Sequence, residues 1–192
     1  MAANDILIVM VGGGGLSVIK ILQPRLFVTS IYDIDIPHLK HLGIRGIIMD
    51  LDNTLVGWNE PEASNELMAW LVGLRQNGLQ TCIVSNNVGT RVAEFSKKVG
   101  IRSIGQAAKP RRKAFREAMR RMGTHGRQTA VIGDQVFTDI LGGNRLNLFT
   151  ILVHPINQKE FWTTRMVRRL EHVVVPRRAS MPSKNYRPID SN

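Results

Sequence analysis

The sequence predicts an α/β protein: a doubly wound parallel sheet of Rossmann-like type, flanked by helices, with no inserted cap domain. Three observations predict it. Apolar runs of strand length alternate with segments of helical period from residue 44 to residue 172. Gly78, Gly100 and Gly123 fall where the helical segments should stop. Successive apolar runs end in polar groups of different chemistry, at the end of the strands where open α/β sheets bind ligands.

The elements follow in order. Ile44-Arg45-Gly46-Ile47-Ile48-Met49 reads as a buried strand, and a helix is expected over 62–76 after a short turn with Trp58 and Pro61. Next come a strand at 79–84, a helix at 90–99 and a strand at 101–104. Over 111–122, Phe115, Ala118, Met119 and Met122 form one core-facing stripe, with Arg112, Arg116 and Arg120 on another side. A strand at 129–132, a helix at 138–146, a strand at 148–153 and a helix at 164–172 complete the alternation. The last helix sets Met166, Leu170 and Val173 against Arg165, Arg168, Arg169 and His172. Cys82 is the single cysteine and reads as a core thiol, which fits a reducing compartment. The five histidines are scattered, and no zinc site is expected.

Chemistry gathers where the strands end. Asp50-Leu51-Asp52-Asn53-Thr54 closes the first strand with two carboxylates two positions apart and a hydroxyl two further on. Taken alone, that pattern fits a polar turn with an Asx cap equally well. The other strand ends shift the balance. The strand at 79–84 ends in Ser85-Asn86-Asn87, Lys109 precedes a proline-started helix, and 129–132 runs into Gly133-Asp134-Gln135 with Thr138-Asp139 behind it. A hard cation takes oxygen ligands from one or two carboxylates plus a substrate phosphate. A hydroxyl and an ammonium supply a donor and a counter-charge for a transferring group. Together these residue types specify a magnesium and phosphate site.

In order, these residues resemble the four motifs of the haloacid dehalogenase-like phosphohydrolases: the DxDxT of Asp50 to Thr54, Ser85, Lys109, and the acidic pair Asp134 and Asp139. Leu22-Gln23-Pro24, Ser30-Ile31-Tyr32-Asp33-Ile34-Asp35, Asp52-Asn53-Thr54-Leu55, Ser85-Asn86-Asn87 and Gly133-Asp134-Gln135 are similar to the YqeG subgroup, type IIIA. That subgroup includes phosphatidylglycerophosphate phosphatases of mitochondria and plastids. The resemblance spans residues 22–175. It implies that Asp50 is the nucleophile and a magnesium ligand. Asp52 would be the acid and base, with its backbone carbonyl on the metal. Asp134 would be a second carboxylate ligand, and Asp139 would hold a metal-bound water or orient Lys109. Ser85 and the Asn86 backbone would grip phosphoryl oxygens, Lys109 would balance charge on nucleophile and phosphate, and Thr54 would brace the first motif. The substrate it implies is phosphatidylglycerophosphate, in phosphatidylglycerol and cardiolipin synthesis.

Spacing leaves no room for a cap between Thr54 and the helix at 62–76, or between Ser85 and Lys109. An open site suits a large or surface-bound substrate, or a neighbouring subunit acting as the lid in a homo-oligomer. Charge agrees: 26 Lys plus Arg against 15 acidic residues give +11, which attracts polyanions. The expected partners are a phosphorylated lipid headgroup and an anionic membrane surface. Nucleic acid is not expected, because no aromatic-rich basic platform for single strands is evident. The expected place is cytoplasmic, peripheral to the inner face of the membrane.

Three regions are expected. Residues 1–23 hold an apolar stretch interrupted by Gly12 to Gly15, too short to span a bilayer. It carries neither a phosphate-loop pattern nor a secretory signal. It reads as a membrane-surface anchor, with packing on the domain as extra core as the alternative. Residues 24–175 form the catalytic domain, and 176–192 a flexible basic tail. Two other functions remain open at this point. One keeps the chemistry on a soluble sugar phosphate, nucleotide or nucleic-acid end. The other is a basic nucleic-acid- or ribosome-associated binding module.

Overall fold

Six strands make one parallel sheet in a computed structural model that describes residues 20–157. The strands are β1 (Leu26–Val28), β2 (Gly46–Met49), β3 (Gln80–Val84), β4 (Arg102–Ile104), β5 (Thr129–Gly133) and β6 (Phe149–Val153). Their spatial order is β1-β6-β5-β2-β3-β4. The helices are α1 (Ile36–His41), α2 (Asn65–Gln76), α3 (Gly89–Val99), α4 (Arg112–Met122) and α5 (Leu141–Asn144). The helix expected at 164–172, the tail at 176–192 and most of the anchor segment lie outside the described residues.

Strand period two sorts the core into two faces. Ile47 and Met49 point to the layer of α1, α2 and α3, among Leu39, Leu67, Leu71, Leu74, Val92, Phe95 and Val99. Ile48 points the other way, with Cys82, Val84 and Val131, onto the α4 stripe of Ala114, Phe115, Ala118, Met119 and Met122. The arginines of that helix face solvent as expected. β2 and β5 are buried along their whole length because both of their faces are covered, whereas β3 is buried only over Cys82, Ile83 and Val84.

Local signals set the boundaries. Ser64 caps α2 by accepting from Leu67 N at 3.1 Å, so the helix starts at Asn65, not at 62. Gly100 and Gly123 end α3 and α4 in the left-handed conformation, which glycine adopts without a Cβ penalty. The helix expected over 138–146 is instead a π-helical turn, Val136–Ile140, leading into the short α5. That turn draws Asp139 back toward the strand end, where its carboxylate has partners.

β1 escaped the sequence reading. Three residues at a sheet edge carry too little periodicity to register, and pairing with β6, Leu26 opposite Ile151, completes the strand. After it, Ser30 and Asp33 form a reciprocal capping box, and Asp35 caps α1. Residues 21–23, which the expected division put in the anchor segment, lie against the domain. Asn144 Nδ2 donates to Ile21 O and Gln23 O at 2.8 and 2.9 Å, and Leu22 is buried with Val136, Ile140 and Leu152.

No element is inserted between β2 and α2, and only α3 and β4 lie between Ser85 and Lys109. The carboxyl end of the sheet is therefore uncapped among the described residues. No helix among them is long and apolar enough to cross a membrane.

Candidate active site

Three adjacent strands bring the site together. β2 pairs with β5 on one side and β3 on the other, so Asp50, Asp134 and Ser85 stand at neighbouring strand ends. Asp50 N continues the ladder by donating to Ile132 O at 2.9 Å. Lys109 arrives from a loop laced to the end of β3. Ala107 N donates to Ser85 O and Gln106 N to Asn87 O, each at 3.0 Å. The Asn86 side chain clasps the lysine's main chain from both sides, accepting from Lys109 N at 2.7 Å and donating to Lys109 O at 3.3 Å. Gln106 and Ala108 are held at φ of 49° and 52°. Each left-handed non-glycine residue costs about 1–2 kcal/mol, strain typical of functional loops.

Lys109 Nζ donates to Asp50 Oδ1 at 2.6 Å and to Asp139 Oδ1 at 2.7 Å, with all three side chains almost wholly buried. Asp139 is anchored in turn, its Oδ2 accepting from Gln135 N and from Thr138 Oγ1 at 3.3 Å each. Asp134 completes the cluster: one carboxylate oxygen from each of Asp50, Asp134 and Asp139 lies within 4.8 Å of the others. Thr54 Oγ1 donates to Asp134 Oδ1 at 3.4 Å, tying the first motif to the acidic one. Asp134 Oδ2 is buried without a hydrogen-bond partner.

Three buried carboxylates around one ammonium is an electrostatic imbalance. Burial first, then repulsion from Asp139 and Asp50, pushes Asp134 up to about 8. Burial also raises Asp50, to about 6, although Lys109 opposes the shift. Burial works against the Lys109 ammonium, but the Asp139 and Asp50 carboxylates outweigh it and hold the lysine above its ordinary value. An orphaned carboxylate oxygen beside two more carboxylates is a donor set that fits a hard divalent cation.

Asp52 does not join this cluster. The sequence set the two aspartates side by side, but each carboxylate has its own partners. Asp52 Oδ2 accepts from Asn87 Nδ2 at 2.9 Å and lies 3.5 Å from Ser85 Oγ. Arg91 Nε donates to Asp52 Oδ1 at 3.1 Å. The same guanidinium reaches Gly57 O and Glu60 O, at 3.2 and 3.3 Å, fastening the loop after β2. Of the expected residues, Asp50, Thr54, Lys109, Asp134 and Asp139 therefore form one buried group. Asp52 and Ser85 form a second group beside it, and Asn86 is exposed, its side chain holding the lysine loop.

Sequence reasoning missed Asn87, Arg91 and the reason for Gly133. Arg91 left one signal: a cation in the first turn of a helix with no acidic residue there, against the helix dipole. For Gly133 the signal was its place beside Asp134. A Cβ at Gly133 would overlap the Asp139 carboxyl group.

The chain is similar to known proteins. The model of the HAD-hydrolase-like family matches residues 106–174. Over 156 residues the chain is 42% identical to the probable phosphatase YqeG of Bacillus subtilis (strain 168), covering 81% of this chain and 91% of that one. It is 28% identical over 188 residues to phosphatidylglycerophosphate phosphatase 1, chloroplastic/mitochondrial, of Arabidopsis thaliana, spanning 89% of this chain and 51% of that protein. The cobalt-bound deoxy-D-mannose-octulosonate 8-phosphate phosphatase of Haemophilus influenzae is 18% identical with a TM-score of 0.48, covering 59% of this chain and 70% of that one. With the parallel sheet, the uncapped strand ends and the lysine–carboxylate cluster in view, the chain belongs to the haloacid dehalogenase-like phosphatases, in the group of YqeG.

Proposed function

We propose that this phosphatase hydrolyses phosphomonoesters through an aspartyl-phosphate on Asp50, with magnesium, and that its substrate is a phospholipid headgroup, phosphatidylglycerophosphate. The observation that carries the catalytic part is the buried group of Asp50, Lys109, Asp139 and Asp134 with its orphaned oxygen.

Asp50, Asp134 and the Asp52 backbone carbonyl would hold the cation, with Asp139 engaged directly or through water. When bound, magnesium neutralises charge on the phosphoryl oxygens and the carboxylates. The protein's own groups do the rest. An Asp50 carboxylate oxygen attacks phosphorus, and the bond to the ester oxygen breaks. Asp52 gives that oxygen a proton, so the alcohol leaves neutral. Asp52 then takes a proton from water, which attacks the acyl-phosphate and releases inorganic phosphate, regenerating Asp50. Splitting one displacement into two is the gain from a covalent nucleophile. Lys109 opposes the effect of burial on Asp50, favouring its ionised form, and fixes its direction. Ser85 and the Asn86 backbone would orient the phosphoryl oxygens, and Thr54 holds Asp134 in register.

Support for a lipid headgroup is of two kinds. The site end carries no cap among the described residues, so a phosphate fixed to a surface can reach it. And a relative matched along 89% of this chain is a phosphatidylglycerophosphate phosphatase. The net charge of +11 suits an anionic surface. The enzyme would then work peripherally at the inner, cytoplasmic face of a membrane.

A phosphate-release panel with magnesium tests both parts, comparing phosphatidylglycerophosphate in mixed micelles with water-soluble phosphate esters. The lipid ester should be preferred by at least about tenfold in kcat/KM, and Asp50→Asn should abolish turnover without unfolding the domain. Better turnover of a soluble ester removes the lipid assignment. Near-normal turnover by Asp50→Asn removes the nucleophile.

A further inference from the structure

Among the described residues, four of the seven exposed large apolar side chains stand at the end of the sheet that carries the site: Trp58, Val88, Phe137 and Ile156. Each follows the carboxyl end of a different strand, Trp58 after β2, Val88 after β3, Phe137 after β5 and Ile156 after β6. Those four strands are consecutive in the sheet. The apolar groups are therefore spread along the mouth of the site, one per loop. Their loops are braced before any partner arrives. Ile156 N donates to Asn53 O at 3.0 Å, and Arg91 ties the Trp58 loop to Asp52. Single exposed apolar residues are ordinary on a protein surface, but here four of the seven share one end of the sheet.

The same end also carries a run of exposed cations. Arg111, Arg112 and Lys113 open α4, two to four residues after the site lysine, and all three are exposed. They form no ion pair among the described residues. The first turn of α4 has no acidic residue and no side-chain cap. Cations at the positive end of a helix dipole weaken the helix, so fold stability does not explain this triplet. Of the acidic side chains at this end, Asp52 pairs with Arg91 and Glu62 with Lys98, while Glu60 accepts from Gly57 N. The mouth thus offers apolar side chains together with cations that have no ion-pair partner among the described residues. That combination matches an anionic phospholipid surface, apolar groups at the acyl boundary and cations at the phosphates.

We propose that the carboxyl end of the sheet is itself the membrane-docking face. Trp58, Val88, Phe137 and Ile156 enter the headgroup layer of an anionic bilayer, and Arg111, Arg112 and Lys113 sit on its phosphates. The inference rests on the lipid-headgroup reading above and adds the orientation that reading requires. An uncapped site can take a headgroup phosphate only if the mouth itself meets the interface. Docking on any other face would leave the cluster turned away from its substrate.

The test uses the full chain and phosphatidylcholine vesicles made with and without phosphatidylglycerol. One variant combines Trp58→Ser with Phe137→Ser. The other combines Arg111→Glu, Arg112→Glu and Lys113→Glu. Each should lower partition onto the anionic vesicles by at least about tenfold, with hydrolysis of a soluble phosphomonoester within about twofold of wild type. The charge-reversed variant should also melt no lower than wild type, because acidic residues suit a helix N-terminus. Brominated acyl chains should quench a component of wild-type emission that Trp58→Phe lacks. Vesicle binding unchanged in both variants overturns the docking face. So does loss of RNA binding by the charge-reversed variant with vesicle binding intact. Failure of the phosphatase reading shows separately, as wild-type protein that releases phosphate from no ester at all.

Discussion

Lys109 Nζ donates to Asp50 Oδ1 at 2.6 Å, in a setting that leaves 3% of the lysine side chain and 6% of the aspartate side chain exposed. Removing one partner of such a pair strands the other charge out of water. Lys109→Met should therefore destabilise the fold by about 3–5 kcal/mol where the carboxylates are ionised, and phosphate release should vanish. Lys109→Arg should not restore activity, since a planar fork cannot occupy the position of a compact ammonium between Asp50 and Asp139. Urea denaturation and a phosphate-release assay check the two halves; full activity in the arginine variant contradicts the geometry.

The acidic cluster should make metal-free stability fall with rising pH. Asp134 is pushed up to about 8 and Asp50 to about 6, both chiefly by burial. Both values lie above the ordinary aspartate value of 3.8 expected in the unfolded chain. The native state therefore holds protons that the unfolded state has already released. That contribution is complete below about pH 4, and it is lost as pH rises through about 6 and then about 8. With chelator present, the protein should be less stable at about pH 9 than at about pH 5, by on the order of a few kcal/mol. Magnesium should raise Tm more at the higher pH, where a cation no longer displaces protons. Thermal melts at both pH values, with chelator and with magnesium, check the sign. A chelated protein that melts higher at pH 9 rejects the cluster as described.

Gly133 should tolerate no side chain. A Cβ there overlaps the Asp139 carboxyl group, and Asp139 is what holds Lys109 from its second side. Gly133→Ala should cost about 1–3 kcal/mol in stability. Turnover should fall by about 100-fold, because a misplaced lysine no longer orients Asp50. Matched activity and stability measurements decide this; a variant that loses stability but keeps its rate shows that the glycine serves packing alone.

Arg91 should matter to turnover more than to folding. It joins Asp52 to the carbonyls of Gly57 and Glu60 and is 24% exposed, so its ion pair is worth about 1 kcal/mol at most. Its positional effect on the proposed acid–base group is larger. Arg91→Ala should lower kcat by about 10- to 100-fold with the melting temperature little changed. Arg91→Lys should recover only part, since one ammonium cannot span the three acceptors. An alanine variant with unaltered kcat assigns Arg91 to the loop alone.

Much of the fold was legible because its signals are local. Period-two and helical patterns, Gly100 and Gly123 after their helices, and the uninterrupted apolar runs of β2 and β5 all act over a few residues. The errors fall where the deciding contact is distant. β1 exists because β6 offers it a ladder. The segment expected to be helix over 138–146 opens as a π turn, in which Asp139 accepts from Gln135 N and Lys109.

By itself the sequence determined which side chains close each strand, since residue type and spacing are properties of the chain alone. Asp50, Ser85, Lys109 and Asp134 stand out on those two properties without any knowledge of what they touch. Only the tertiary structure decided the pairings that no motif implied, Arg91 with Asp52 and Asn86 with the lysine's own backbone, and set Lys109 Nζ on Asp50 and Asp139 at once. Strand order brings those loops together from far apart in the chain. Burial then turns spacing into energy, because a carboxylate out of water must find its cation or keep its proton.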